Sequence, residues 1–521
     1  MTKLTIDGQP VEVSQGTTLL EAASKLGIEI PMMCFLEGCE PSTSCMVCVV
    51  KVHGRHALVP ACATVAEEGM VVEASSQEII EARKTALELL LSDHVGDCMG
   101  PCQLTCPAHM DIPLMIRQIA SGQLAEAIET VKKDIALPAV LGRICPGPCE
   151  NACRRSKADH TISICLLKRH VADVDLQSSQ PYQPMLKPKA GKKVAIVGAG
   201  PAGLAAAYYL LIEGIDCTIY DEHEQMGGEL RYAIDEHDLP RDILDAEIAT
   251  IQRLGFEFKA NTNVGVDITF DDLRKQYDAV FIAIGQLKKD VEMSGLKTSD
   301  NGILTDSIVY STSIDGVFAG GDAVRKRKLA IRAVADGKEA ANSISQYLRD
   351  EKVTGPARPF NTRMGKLLDG EMEMFLETAS GKGRVKPTVA SLGYSVEQAK
   401  AEAERCLHCD CRKADDCKLR LYSKQYSASS TQYKAQRRMF EQQNEHPDII
   451  YESGKCIDCG LCVQIAEQYK ESLGLAFIGR GFNVRVATPF SKSIAEGLKI
   501  TAQKCAKACP TGAIAIKNDR L

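Results

Sequence analysis

Twenty-two cysteines dominate this 521-residue chain. Most fall into six short-spaced groups, three before and three after one glycine fingerprint, Gly198-Ala199-Gly200-Pro201-Ala202-Gly203. Thiols at such spacings must be satisfied by metal, by a cluster or by disulfides, and each choice fixes the fold around it. The chain opens directly on a strand-like alternation, Met1 to Ile6, without a signal-peptide core, so a reducing, cytoplasmic setting is expected and disulfides are not. No second fingerprint of the same kind occurs.

Length alone implies several domains. The net charge of -6 is small, no lysine-arginine block suggests a nucleic-acid surface, and no apolar run approaches the roughly 20 residues of a membrane helix. Trp is absent and aromatics make up 5%, which argues against stacked single-stranded nucleic acid. The expected class is multidomain α/β and α+β, with segments 1–74, 75–185, 186–350, 351–448 and 449–521.

In the first segment a strand, an Asp7-Gly8 turn, a second strand at Val11 to Val13 and an amphipathic helix near Thr18 to Leu26 precede Cys34, Cys45, Cys48 and Cys62, spaced C-x10-C-x2-C-x13-C. Thiolates on one tight loop and one returning strand can surround a 2Fe-2S unit; a zinc knuckle is the bland alternative. Ile30-Pro31-Met32-Met33-Cys34, Ser44-Cys45-Met46-Val47-Cys48 and Val59-Pro60-Ala61-Cys62-Ala63 resemble the first ferredoxin domain of the large iron-sulfur subunit of NADH dehydrogenase and NAD-linked hydrogenases. That resemblance implies a β-grasp 2Fe-2S ferredoxin.

Helical periodicity over Gln77 to Asp93 leads into His94, Cys98, Cys102 and Cys106, and a second triplet, Cys145, Cys149 and Cys153, follows about forty residues later. Two incomplete sets must meet in space to complete four-ligand shells. Cys102 to Pro113 and Gly142 to Glu150 resemble the helical 4Fe-4S domain of the glutamate synthase small subunit and dihydropyrimidine dehydrogenase. The resemblance implies one 4Fe-4S on Cys98, Cys102 and Cys153 and another on Cys106, Cys145 and Cys149, each with a further ligand. His94 stands where the NADH dehydrogenase family places a cluster histidine, against an ordinary surface role. The family's non-cysteine ligand aligns with Lys168, so Cys165, one turn earlier, is the candidate.

A linker, Gln177 to Lys192, precedes the strand Lys193 to Val197, the fingerprint and a helix to about Glu213. Gly198 makes the turn, Gly200 admits a pyrophosphate to the backbone and Gly203 allows close helix-strand packing. A second strand ends at Asp221, a carboxylate for ribose hydroxyls, and Gly227, Gly228 and Arg231 follow. With Gly285, closing the strand from Tyr277, and Gly321-Asp322, closing that from Gly316, these resemble the FAD-binding halves of the glutamate synthase small subunit. The resemblance implies a Rossmann-like FAD domain with Asp322 at the ribityl-phosphate region; NAD is the alternative ligand. That family carries a whole NAD(P)H-binding domain between the last two strands, whereas here only residues 286–315 intervene, too few for a second dinucleotide fold.

Ser395 to Gln398 reads as a capping box opening a helix that ends at Arg405. Cys406, Cys409, Cys411 and Cys417 follow, four sulfurs that suit either 4Fe-4S or structural zinc. In the tail, Cys456, Cys459 and Cys462 lack the usual fourth cysteine, with Ala466 in its place, and Cys509-Pro510 can supply it, closing one 4Fe-4S in a bacterial-ferredoxin-like domain. Gly474 to Phe482 resembles the same region of NADH dehydrogenase, hydrogenase and formate dehydrogenase iron-sulfur subunits.

These resemblances imply an electron-transfer subunit of a multisubunit NAD(P)-linked oxidoreductase of anaerobic metabolism, containing FAD, a 2Fe-2S cluster and three or four 4Fe-4S clusters. The implied partners are an FMN-containing NADH dehydrogenase-type subunit, a small 2Fe-2S subunit, and a ferredoxin, hydrogenase or formate dehydrogenase, with electron bifurcation within the implied range. The rivals are a self-sufficient NAD(P)H oxidoreductase and a scaffold with structural clusters. No catalytic residue is singled out.

Overall fold

The computed structural model describes residues 1–286, 295–326, 329–433 and 436–517. The chain divides into two compact units: residues 1–99, 359–378 and 408–521 form the first, and residues 100–358 and 379–407 the second.

The first unit begins with a five-stranded sheet in the order Gln9–Val13, Thr2–Ile6, Val71–Glu73, Val49–Val52, Val59–Pro60. The first hairpin is antiparallel, as the Asp7-Gly8 turn predicts, and Thr2–Ile6 pairs in parallel with Val71–Glu73. Alternation puts Leu4, Ile6, Val13, Val50 and Val52 on one buried face, where they meet Leu19, Ala22 and Ala23 of the helix Leu19–Lys25. Thr18 and Glu21 close that helix with a reciprocal capping box. The helix Gln77–Ser92 also belongs to this unit, so the segment expected over 75–185 is divided near residue 99. Its buried side chains explain why: Leu87 and Leu91 lie in an apolar cluster with Met33, Cys34, Val47, Leu419 and Leu461. The tail pairs Ile449–Tyr451 with Ile514–Ile516 and packs the helices Leu461–Gln468 and Ala502–Ala508 on them.

The second unit carries a parallel sheet in the order Val317–Ala319, Ala279–Ile282, Lys193–Val197, Asp216–Tyr220, Glu257–Lys259. The near-continuous apolar runs Val194–Val197 and Ala279–Ile282 suit strands covered on both faces. The helix Pro201–Ile212 packs along Ala330–Leu348, and a Cβ at Gly337 would overlap the carbonyl of Ala202, so only glycine permits that approach. Further helices, among them Ile112–Ala120, Leu124–Lys132, Pro138–Ile144 and Ile164–Gln177, form the cysteine-bearing part of the same core. The capping box at Ser395 and Gln398 opens the helix Val396–Ala403 as its sequence predicts. Between residues 286 and 315 the described residues form only the short pair Thr298–Ser299 and Gly302–Ile303, and residues 287–294 lie outside the described residues. Among the described residues no helix is long and apolar enough to cross a membrane.

Candidate functional site

The fingerprint lies at the carboxyl end of the central strand, between Lys193–Val197 and the helix Pro201–Ile212, where open parallel sheets hold dinucleotides. Gly198 has φ +106°, and a Cβ there would overlap the carbonyl of Ala283; one at Gly203 would overlap the carbonyl of Gly198. Gly228, at φ +52°, would put its Cβ 2.8 Å from the Gly200 Cα. Gly227 donates its N–H to the Ala199 carbonyl at 2.9 Å, so the 227–228 turn closes over the fingerprint. The first turn of a twelve-residue helix opens at this mouth, and its N–H groups favour an anion there. This backbone cradle fits a pyrophosphate.

Asp221 ends its strand as expected; its Oδ2 accepts the Ala199 N–H at 2.6 Å and its Oδ1 the His223 N–H at 2.9 Å. Arg231 donates Nε to the Met226 carbonyl at 2.7 Å and pairs with Asp245, a turn-bracing arrangement. Gly285 is at φ +73° with open space around its Cα, and Gly321, at φ +68°, faces Ala202. Asp322 follows in a short 3-10 turn. One acid escaped the sequence reading: Asp336, fully buried, accepts the Tyr310 hydroxyl at 2.9 Å and the Gly321 N–H at 3.0 Å and lies 3.3 Å from Arg325. Burial pushes its carboxyl up to about 6. The only signal was an aspartate placed among the apolar positions of an amphipathic helix, Ala330–Leu348.

In the first unit Cys34 and Cys45 sulfurs are 3.3 Å apart and those of Cys48 and Cys62 3.4 Å apart, all four buried. Met46, at φ +51°, turns the loop that brings Cys45 and Cys48 together. Hydrogen bonds with Cys45 and Cys62 draw the Cys34 thiol down to about 2, and that with Cys62 draws Cys48 to about 7. Two pairs of mutually hydrogen-bonded thiols suit the two irons of a 2Fe-2S unit, which take two sulfurs each. Cys456, Cys459, Cys462 and Cys509 line one small, almost wholly apolar void with Tyr451, Val486, Pro510 and Ile514. Burial pushes Cys459 up to about 12 and raises Cys456 and Cys462 well above the ordinary thiol range, so a positively charged centre is needed to hold these sulfurs as thiolates. Cys505, buried beside them, points its sulfur at the Cys462 carbonyl at 3.7 Å.

In the second unit the buried Lys168 lies within electrostatic reach of Cys106, Cys145, Cys149 and Cys165. Burial alone would lower that ammonium, but the charges of the four sulfurs, led by Cys165, more than offset it. The Cys165 sulfur reaches the Cys145 carbonyl at 3.9 Å, and the Cys165 thiol with burial pushes the Cys145 thiol far up. Cys165 also takes its place through its N–H, donated to Glu150 Oε1 at 2.9 Å. Cys102 and Cys153 pack on the same apolar core as Cys406. Cys98 falls in the first unit, as do Cys409, Cys411 and Cys417, while Cys102 and Cys153 fall in the second. His94 is half-buried there, its Nδ1 without a hydrogen-bond partner. Among the described residues no three His, Cys, Asp or Glu side chains group as a single-ion site.

Fold and sites define an iron-sulfur protein with a Rossmann-type dinucleotide domain. Residues 1–77 match the 2Fe-2S iron-sulfur cluster binding domain family, and residues 91–180 the dihydropyrimidine dehydrogenase domain II, 4Fe-4S cluster family. Residues 196–253 match the NAD(P)-binding Rossmann-like domain family and residues 238–337 the pyridine nucleotide-disulphide oxidoreductase family. The chain is 42% identical over 190 residues to the NADPH-Fe(3+) oxidoreductase subunit beta of Geobacter sulfurreducens, covering 36% of this chain and 28% of that one. It is 43% identical over 207 residues to the NADP(+)-dependent formate dehydrogenase subunit beta of Moorella thermoacetica, covering 36% and 29%. To the NAD-dependent dihydropyrimidine dehydrogenase subunit PreT of Escherichia coli O157:H7 it is 34% identical over 264 residues, covering 48% and 63%. The matched part thus spans less than a third of the first two relatives. These matches are to parts of oxidoreductase subunits, each over less than half of this chain.

Proposed function

We propose that this chain is the FAD- and iron-sulfur-containing electron-transfer subunit of a cytoplasmic, multisubunit NAD(P)-linked oxidoreductase. One observation carries the reading. A single dinucleotide cradle, closed by Gly198, Gly203 and Gly228, shares a chain with several separate sets of convergent thiols. Bound there, FAD would supply two-electron chemistry and the clusters one-electron steps.

The residues define the protein's share of the work. Gly200 and Gly228 leave room for the pyrophosphate against bare backbone. Asp221, at the end of its strand, would take the ribose hydroxyls. Asp336 and Tyr310 fix the Gly321-Asp322 turn through the Gly321 N–H, which positions the polar edge of the cofactor site. Cys34, Cys45, Cys48 and Cys62 would hold a 2Fe-2S unit, and Cys456, Cys459, Cys462 and Cys509 a 4Fe-4S unit. Cys106, Cys145, Cys149 and Cys165 would hold another beside Lys168, which supplies positive charge to an anionic ligand set in a buried site. The implied partners are an FMN-bearing NADH dehydrogenase-type subunit and a small 2Fe-2S subunit, since the short 286–315 segment offers no second dinucleotide fold.

Anaerobic purification followed by flavin extraction and iron and sulfide analysis tests the reading. FAD with one 2Fe-2S and at least three 4Fe-4S clusters is expected; FMN as the main flavin, or an iron-free chain, overturns it.

A second reading, a self-sufficient NAD(P)H oxidoreductase, draws on one feature. An open cleft of about 450 Å³ in the second unit is lined by His109, Tyr310, Arg325, Arg332 and Arg358. Three arginines there could take nucleotide phosphates. Saturable binding of NADPH to the isolated chain, weakened by Arg332→Ala, would favour it.

A further inference from the structure

The run Cys406 to Cys417 looks like one four-sulfur motif, but its members part company. Cys406 lies in the second unit against the core that also holds Cys102 and Cys153, whereas Cys411 and Cys417 lie in the first. There the Cys411 N–H donates to the Cys98 carbonyl at 3.2 Å. Cys417 is buried within reach of the charges of both Cys411 and Cys98. The segment bearing Cys98 is tightly held. Thr362 donates its hydroxyl to the Gly96 carbonyl at 2.9 Å and its N–H to the Cys98 sulfur at 3.5 Å, and Met364 donates its N–H to Asp97 at 2.8 Å.

The surroundings suit an anionic centre. Lys455, 2% exposed and paired with Glu452, lays its stem where a Cβ on Gly96 would have to go, and its charge acts on both Cys411 and His94. Lys413, also buried, donates to the carbonyls of Ala506 at 2.8 Å and Cys509 at 2.7 Å. A side chain at Gly512 would overlap the Cys411 sulfur, so bare backbone closes that side. Buried ammonium groups are expensive unless negative charge meets them. Glu452 meets Lys455 and Asp416 lies 3.5 Å from Lys413, and a ligand set of thiolates would add further negative charge.

We propose that Cys98, Cys411 and Cys417, with His94 as fourth ligand, hold one 4Fe-4S cluster of the first unit, and that the chain of the second unit is inserted between the two halves of this ligand set. The proposal rests on the iron-sulfur reading above. His94 lies four residues before Cys98, keeps an unpartnered Nδ1 and is within electrostatic reach of the same lysine as Cys411. The chain leaves the first unit after Met99 and returns finally at His408, so the ligands are supplied from both ends of the excursion. The cluster thus forms only when residues on both sides of the second unit have come together.

Full-length holoprotein, purified anaerobically, tests the assignment by iron and sulfide content and by electron paramagnetic resonance during reductive titration. Cys98→Ser and Cys411→Ser should each remove about four iron and the same resonance, and the double variant should lose no more than either alone. Cys102→Ser should remove a different resonance. His94→Gln should alter only the resonance that Cys98→Ser abolishes. A persistent 2Fe-2S spectrum in each variant shows that the first unit has folded. Loss of a single resonance common to Cys98→Ser and Cys102→Ser, additive loss in the double variant, an unaltered spectrum in His94→Gln, or zinc that disappears in Cys411→Ser would each overturn the proposal. Wild-type protein without iron would instead defeat the underlying iron-sulfur reading.

Discussion

Arg405 and Glu402, both fully buried, pair at 2.8 Å one helical turn apart at the end of the Val396–Ala403 helix, directly before Cys406. Arg405 also reaches Asp159 at 3.0 Å and the carbonyls of His160 and Lys382 at 2.9 and 3.0 Å, while Glu402 accepts the N–H groups of Ser163 and Val385. This network ties the segment that delivers Cys406 to the helical part of the second unit. Arg405→Ala leaves Glu402 as an uncompensated buried charge and should cost about 3–5 kcal/mol. Arg405→Lys keeps the charge but loses the fork, so it should fall between wild type and alanine. Urea midpoints of the second unit's transition check this.

Cys45→Ser removes one member of a close sulfur pair, 3.3 Å from Cys34. The 2Fe-2S resonance should vanish and about two iron be lost, with the remaining cluster signals and the flavin kept. Retention of every signal would show that these four thiols are not the ligands.

Gly203→Val should abolish flavin binding while leaving iron content unchanged. Even a Cβ at this position overlaps the Gly198 carbonyl, so the strand-to-helix turn must open and the helix amino terminus must leave the pyrophosphate position. Absorbance near the flavin bands, compared with iron per chain, reads the two separately. A tenfold or greater loss of bound flavin is expected.

How much of this was legible beforehand depended on the range of each signal. The glycine fingerprint and the strand at Lys193–Val197 are local, because turn conformation and apolar runs act over a few residues, and they folded where the sequence put them. The same holds for the capping box at Ser395 and for the first hairpin. Cysteine spacing is also local, and it carries no information on which thiols from distant parts of the chain come together. Nothing near Cys98 shows that Cys411 will be its neighbour, and the tight run Cys406 to Cys417 conceals a boundary between units. Buried charges were the other blind spot: Asp336 and Lys455 read as ordinary solvated residues until their surroundings are known.

Glu247 offers a pH test of packing in the second unit. Its two oxygens accept the N–H groups of Ala139 at 2.7 Å and Val140 at 2.8 Å, at the start of the helix that carries Cys145 at its end. Burial nonetheless pushes its carboxyl up to about 7. A carboxyl raised in the folded state binds more protons there than in the unfolded chain, so stability is greatest below the ordinary carboxylate range and falls as pH rises to about 7. The span is on the order of 3 kcal/mol. Glu247→Gln should flatten that dependence between about pH 4.5 and 7 and lose a hydrogen bond, because its NH2 group would face a backbone N–H. Unfolding midpoints across this range distinguish the two proteins.

Reduction by nicotinamide nucleotides separates an electron-transfer subunit from an autonomous enzyme. Residues 286–315 are too few for a second dinucleotide fold; their described part holds only the two-residue strand pair, and the chain has one fingerprint. Mixed anaerobically with NADH or NADPH in a stopped-flow instrument, the isolated protein should bleach its flavin slowly and without saturation at micromolar nucleotide. Addition of an FMN-bearing NADH dehydrogenase-type subunit should accelerate bleaching by at least a hundredfold, because electrons would then enter through the thiol-bound clusters. Cys45→Ser should abolish that acceleration if the 2Fe-2S site is the point of entry. Fast, saturable bleaching of the isolated chain would instead assign hydride transfer to this polypeptide, with the arginine-lined cleft at Arg325 and Arg332 as the place to look.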